Sequence, residues 1–237
     1  KRRRRAAKER SHHHPELIGL GLFAAGLFLS TLVYLGGEGG TGGEAIVDGL
    51  WALYDARGWY HAAVDLGTDL LGVLSTTPST PERAREELTL RTSLARGLMA
   101  IRGYTEEVEE AYDKALALSE EVSELPRRFS VLRNLATFHL YRGEFGKAAA
   151  VGRELLDLAE GSPDLQVEGH LVLGSGLAFL GDVPAGLDHL DRAIALFDPL
   201  QHRPGRFRLG PSAGVTSHTT SALLLWLLGY PERAVRR

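Results

Sequence analysis

From Ala45 onward, apolar residues recur three and four positions apart, the spacing that lines one face of an α-helix. Glycines punctuate this pattern at Gly58, Gly103, Gly143, Gly181 and Gly229, 45, 40, 38 and 48 residues apart. Each stands between two helical stretches, in RGWYHAAV, RGYTEEVEEA, RGEFGKAAAV, LGDVPAGLDHL and LGYPERAV. Five residues beyond the glycines stand Ala63, Val108, Ala148, Gly186 and Ala234, small in four of the five. A small side chain there lets two antiparallel helices approach closely. Seven residues before the glycines, Ala136, Gly174 and Ala222 supply the matching small residue, while Trp51 and Arg96 break the pattern. Thirteen and fifteen residues after the glycines, Leu71, Leu116, Leu156 and Ile194, then Val73, Leu118, Leu158 and Leu196, are expected to form the apolar stripe of each second helix. Pro78, Pro81, Pro126 and Pro163 separate the units, because proline starts or ends a helix at little cost.

The fold expected over residues 45–237 is all-α: about four and a half helix–turn–helix units stacked in one dimension as an α-solenoid. The competing reading is a helical bundle without repeats. The pattern resembles tetratricopeptide repeats (TPR), with a period longer than the usual thirty-four residues. That resemblance implies a concave binding face built from the first helix of each repeat. Positions thirteen, ten, six, three and two before each glycine then give Asp48 and Asp55, Ser93, and Arg133, Thr137 and Tyr141. They continue with Glu168, Ser175 and Phe179, then Thr219 and Trp226. Arg133 offers a partner for a peptide carboxylate, and Tyr141, Phe179 and Trp226 a hold for an apolar side chain. The alternative is that these aromatics are core between repeats.

The pattern ahead of the repeats is different. Leu17–Leu35, LIGLGLFAAGLFLSTLVYL, is nineteen residues without a charge. As a helix it measures about 28 Å, enough for a hydrocarbon core of about 30 Å. Residues 15–36 therefore read as one transmembrane helix, rather than a buried core helix. A signal peptide is the nearer competitor, but the stretch exceeds the roughly 7–15 residues of its apolar region and no A-x-A site follows. Gly36–Gly43, with six glycines in eight residues, reads as a flexible linker over 37–44. Residues 1–14 form a basic tail that, beside the span, is expected on the cytoplasmic side of a cell membrane. His12–His14 lack the i, i+4 spacing of helical metal ligands and read as solvated linker.

Charge sharpens the division. The net charge of −3 combines seven basic residues and one acid in residues 1–10, +6, with twenty basic and twenty-nine acidic residues in the rest, −9. The acidic array is expected to repel nucleic acid, although Arg203–Arg208 forms a short basic loop. Cysteine is absent, which excludes disulfides, thiolate metal sites and cysteine nucleophiles. His139, His170, His189, His202 and His218 are spread along the repeats in no shared register, and Gly174-Ser175-Gly176 lacks the outer glycines of a nucleophile elbow. No catalytic site, metal site or cofactor is expected. Only eight residues follow Gly229, so the fifth second helix is expected half complete, with ALLLWLL presented to a partner or a second copy.

Two further resemblances concern longer stretches. RRRRAAKER, SHHHPELIGLGLF and AAGLFLSTLVYLGGEGG are similar to the start of septal DNA translocases of the FtsK/SpoIIIE type. Their Walker A motor loop has no counterpart in this sequence, so motor activity does not carry over. HLVLGSGLAFLGDVPAGLDHLDRAIALFDPLQHR and SHTTSALLLWLLGYPERAV resemble the repeat region of bacterial signalling ATPases that also carry a nucleotide-cyclase domain. No cyclase aspartates or ATPase motifs can be placed here. The favoured function is a membrane-anchored, non-enzymatic scaffold binding a protein or peptide. The alternatives are a sensory repeat region of a multidomain ATPase and a translocase-related membrane protein.

Overall fold

Glycine ends the first helix of every pair for a stereochemical reason. Gly58, Gly103, Gly143, Gly181 and Gly229 all have positive φ, between 66° and 104°, where any side chain would be strained. At four of them the next residue donates its N–H to a carbonyl five residues back: Trp59 to Tyr54, Glu144 to His139, Asp182 to Leu177 and Tyr230 to Leu225, at 2.9–3.0 Å. This bond satisfies a carbonyl that the helix end leaves unpaired and reverses the chain within about three residues.

The computed structural model describes Trp51, Leu53, Tyr54 and residues 57–199 and 212–237. The basic tail, the span at 15–36, the linker at 37–44, Asp48, Asp55, His202 and the Arg203–Arg208 loop lie outside the described residues. Among the described residues, Trp51, Leu53, Tyr54 and Arg57 are helical and lead into α1, Tyr60–Leu74. Then follow α2 (Pro81–Arg102), α3 (Glu106–Val122), α4 (Leu125–Arg142) and α5 (Phe145–Leu158). The chain continues through α6 (Pro163–Phe179), α7 (Val183–Leu196), α8 (Ala213–Leu227) and the short α9 (Pro231–Val235). No helix among them is long and apolar enough to cross a membrane. Pro81, Pro126 and Pro163 lie in first turns, as the sequence suggests, and Pro184 and Pro231 do the same for α7 and α9. In α7 the Asp182 side chain also accepts a hydrogen bond from the Ala185 N–H, capping the helix.

The small position five residues after each glycine is buried in all five pairs: Ala63, Val108, Ala148, Gly186 and Ala234. It opens a stripe that repeats at nine, twelve and sixteen residues: Gly67, Leu70 and Leu74; Tyr112, Ala115 and Ser119; Gly152, Leu155 and Ala159. In α7, Leu190 and Ala193 follow the same register and Phe197 is half-buried. The positions thirteen and fifteen residues on, expected to be the stripe, are half-buried throughout and flank it. The offset follows from helical geometry, since a face anchored at the fifth residue continues at steps of four, three and four.

Residue contacts divide the chain into two units between Gly97 and Leu98, within α2. In the first, Trp51, Tyr54, Ala63, Leu66, Leu70, Leu74 and Leu90 form one core. Gly67 lies where an added Cβ would stand 3.2 Å from the Trp51 ring. In the second unit, α4 and α5 bury Phe129, Leu132, Ala136, Leu155 and Ala159 with Val172 of α6. Val167, Leu171 and Ala178 of α6 join Leu190, Ala193, Ala213 and Leu224. Glycines set how closely these helices approach. A Cβ on Gly152 would lie 2.7 Å from the Leu173 backbone nitrogen, and one on Gly176 2.9 Å from that of Ala149. A Cβ on Gly174 would meet the Gly186 carbonyl oxygen at 2.8 Å. Gly174 and Gly186 are the paired small positions, seven before and five after Gly181, and they do mark the close crossing of α6 and α7.

Candidate functional site

Three aromatics of the expected binding face lie at the surface rather than in the core. Tyr141 is 69%, Phe179 45% and Trp226 61% exposed. Tyr141 and Phe179 each stand two residues before a turn glycine, at the last turn of α4 and of α6. Each stacks on an aromatic beside the preceding turn: Tyr141 on Tyr104 with ring centres 5.4 Å apart, and Phe179 on Phe145 at 5.1 Å. Such pairs hold both rings in place while leaving apolar surface open. Tyr104 and Phe145 were not among the expected face residues, although each directly follows or nearly follows a turn glycine. Leu180, Leu227, Leu228 and Tyr230 are also exposed beside these turns.

The polar members of the expected face meet one another. The Arg133 guanidinium donates to Glu168 of α6 at 2.6 Å and also to the Thr137 hydroxyl. Both charged side chains are largely covered, 11% and 14% exposed. The carboxylate that Arg133 holds is thus within the chain, and the pair ties α4 to α6. Ser175 is buried inside α6, where its small side chain serves packing. Thr219 is exposed on α8 with its hydroxyl turned back to the Val215 carbonyl. Ser93 is half-buried on α2, in the first unit.

Next to the Tyr104–Tyr141 stack lies an ion-pair knot. Glu109 of α3 accepts from Arg142 and from Lys147, the latter at 2.9 Å. Glu144 bonds His139 Nδ1 at 2.7 Å and pairs with Arg142 and Lys147 at 3.1 and 3.2 Å. The hydrogen bond from Lys147 holds the Glu109 carboxyl below its usual range, helped by the charges of Lys147 and Arg142. Partial burial pushes Glu144 up, but bonds from His139 and Lys147 and the nearby cations bring it down overall. Glu109, His139 and Glu144 place three ligand atoms within 4.8 Å of one another. A divalent cation would have to displace Arg142 and Lys147 from the same carboxylates, so the cluster acts as a junction of α3, α4 and α5 rather than a ready metal centre.

The histidines are not all scattered. His170 of α6 and His189 of α7 meet Nδ1 to Nδ1 at 2.8 Å. They stand eleven residues before and eight after Gly181. In an antiparallel hairpin those positions are neighbours one turn further out than Gly174 and Gly186. Reading each histidine against its own glycine, without folding the hairpin, conceals the pair. Burial, and then the neighbouring His189, lower the His170 pKa to about 4. Burial likewise lowers His189.

No protein-family model matches the chain, and no curated protein matches it. Solved structures do. A kinesin-light-chain-type protein of nearly identical TPR-like repeats from Podosopora anserina is 16% identical, with TM-score 0.59, covering 80% of this chain and 89% of that one. BtubC (BKLC) from P. vanneervenii is 16% identical with TM-score 0.68, covering 94% and 85%. At this identity the likeness concerns the fold, and it supports an α-solenoid of TPR-like repeats.

Proposed function

We propose that the chain is a non-enzymatic scaffold that binds a protein or peptide on the surface carried by α4, α6 and α8. The observation behind this reading is the repeated exposure of Tyr141, Phe179 and Trp226 next to successive turns. Apolar rings held open at the surface of a water-facing helix gain by being covered. The neighbouring charges already have partners within the chain, so recognition rests on apolar and aromatic contact more than on a carboxylate clamp. Replacing Tyr141 and Phe179 together by Ala tests this. Loss of partner recovery at unchanged helical content supports the reading, and unchanged recovery refutes it.

The scaffold is held at a membrane by residues 17–35, with residues 1–14 in the cytoplasm. The uncharged nineteen-residue run and the adjoining basic residues support that part of the proposal. The resemblance of HLVLGSGLAFLGDVPAGLDHLDRAIALFDPLQHR and SHTTSALLLWLLGYPERAV to the arrays of signalling ATPases favours a regulatory setting for the same surface. Fractionation combined with protease protection tests anchoring and sidedness together. Recovery of the chain in the supernatant without detergent contradicts the anchor.

A further inference from the structure

The His170–His189 pair has a geometry that defines its chemistry. The two Nδ1 atoms are 2.8 Å apart and the ring centres 5.1 Å apart. Imidazoles meeting end to end have centres separated by the N···N distance plus about 1.1–1.2 Å at each side, about 5 Å in all. The rings are therefore end-on, with the N–H of one aimed at the lone pair of the other. A metal bound by both nitrogens at about 2.0–2.1 Å, with the same N···N separation, would draw the centres in to about 4.4 Å. The pair is a hydrogen bond rather than a chelate. It requires two different tautomers: one ring carries its proton on Nδ1, its partner on Nε2.

We propose that this bond is an acid-opened clamp between α6 and α7. A first proton leaves it intact, because the donor ring takes that proton on Nε2 and keeps Nδ1–H pointed at its partner. The second proton can go only to the remaining Nδ1 lone pair. Two N–H groups and two positive charges then face each other at the crossing of the helices. That crossing has little slack: Gly174 sits so close to α7 that a Cβ there would meet His189 Cβ at 3.1 Å. Separation of the rings therefore disturbs the Gly174–Gly186 contact and the helix that carries Glu168 and Phe179. The clamp stands whether or not that surface binds a partner.

The charged groups acting on the pair are Asp188 and Arg192 of α7 and Arg153 of α5. Asp188 favours protonation, while Arg192 and Arg153 oppose it. Both histidines bind protons less readily folded than unfolded, and His170 does so only near pH 4. The stability linked to them is complete above about pH 6.5 and falls as the pH drops from there toward 4.

Long-range proton–nitrogen correlation NMR of the full chain at pH 7.5, with 15N-labelled histidine, tests the clamp. The expected spectrum shows one of the two rings as the Nδ1–H tautomer and the other as Nε2–H. Replacing whichever histidine proves to be the Nε2–H acceptor by Leu should return the remaining, donor ring to the ordinary Nε2–H form. In thermal unfolding, the fall of Tm between pH 6.5 and 4.5 should be smaller for the His170→Leu, His189→Leu protein than for the wild type. Both rings in the Nε2–H form with titration near 6.5 would overturn the proposal, as would an equal fall of Tm in the double variant. The tautomer measurement on the wild type decides the matter if the double variant does not fold.

Discussion

Gly186→Ala is the sharpest probe of how the second unit is packed. A Cβ at this position would lie 2.6 Å from the Ala178 Cβ, 2.7 Å from the Gly174 carbonyl oxygen and 2.8 Å from the Ala178 nitrogen. Two of these atoms are backbone, so relief requires that α6 and α7 move apart. Overpacking of this kind costs about 1–3 kcal/mol. Against it stands the gain of about 0.5–1 kcal/mol from replacing glycine by alanine within a helix. The net expectation is a loss of about 1 kcal/mol and at most about 2.5 kcal/mol, or about 2–4 °C and at most about 10 °C in Tm for a chain of this size. Gly146→Ala is the matched control, because nothing lies within 4 Å of its added Cβ and its backbone is helical. That variant should be neutral or stabilised by up to about 1 kcal/mol. Thermal and urea unfolding followed by helical circular dichroism compares the two. A Gly186→Ala protein as stable as Gly146→Ala would refute the close crossing.

Gly143→Ala meets no neighbour, yet φ is +80° there. It should cost about 1–2 kcal/mol through backbone strain alone, and Gly143→Asn less, as read from urea midpoints. Arg133→Met leaves Glu168 largely covered without its cation. It should cost about 2 kcal/mol, with Arg133→Met, Glu168→Met recovering part of the loss in a double-mutant cycle. Tyr141→Ala, Phe179→Ala removes two aromatic stacks and should cost about 1–3 kcal/mol of stability, leaving the fold intact while lowering partner affinity at least tenfold by calorimetry or pull-down.

The repeat was legible because its punctuation is chemical. Only glycine takes the positive φ that closes these turns without strain, so five glycines mark five helix ends. The small residue five positions on was equally readable, because helices cannot approach closely over a large side chain. The apolar stripe was legible at its flanks, since Leu71, Leu116, Leu158 and Leu196 pack against the cores, but its centre falls on residues such as Ala115 and Ser119, which look less hydrophobic than Leu116 and Leu118. Hydrophobicity alone does not separate the centre of a face from its flanks. The Arg133–Glu168 bond joins residues 35 positions apart and depends on how α4 lies beside α6. The His170–His189 bond was within reach, but only by folding the hairpin about Gly181 first. The aromatic stacks fall between these cases: Tyr141 and Phe179 were placed by register, while Tyr104 and Phe145 emerge only when successive turns lie side by side.

The central claim is that the exposed aromatic pairs bind a partner. The most direct measurement places a photo-crosslinking amino acid at Tyr141, at Phe179, or at the exposed Lys114 of α3, and reads the adducts formed in cells. The account predicts the same protein adduct from positions 141 and 179 and none from 114. Adducts that are equal from all three positions, or absent from both aromatic positions, would contradict it.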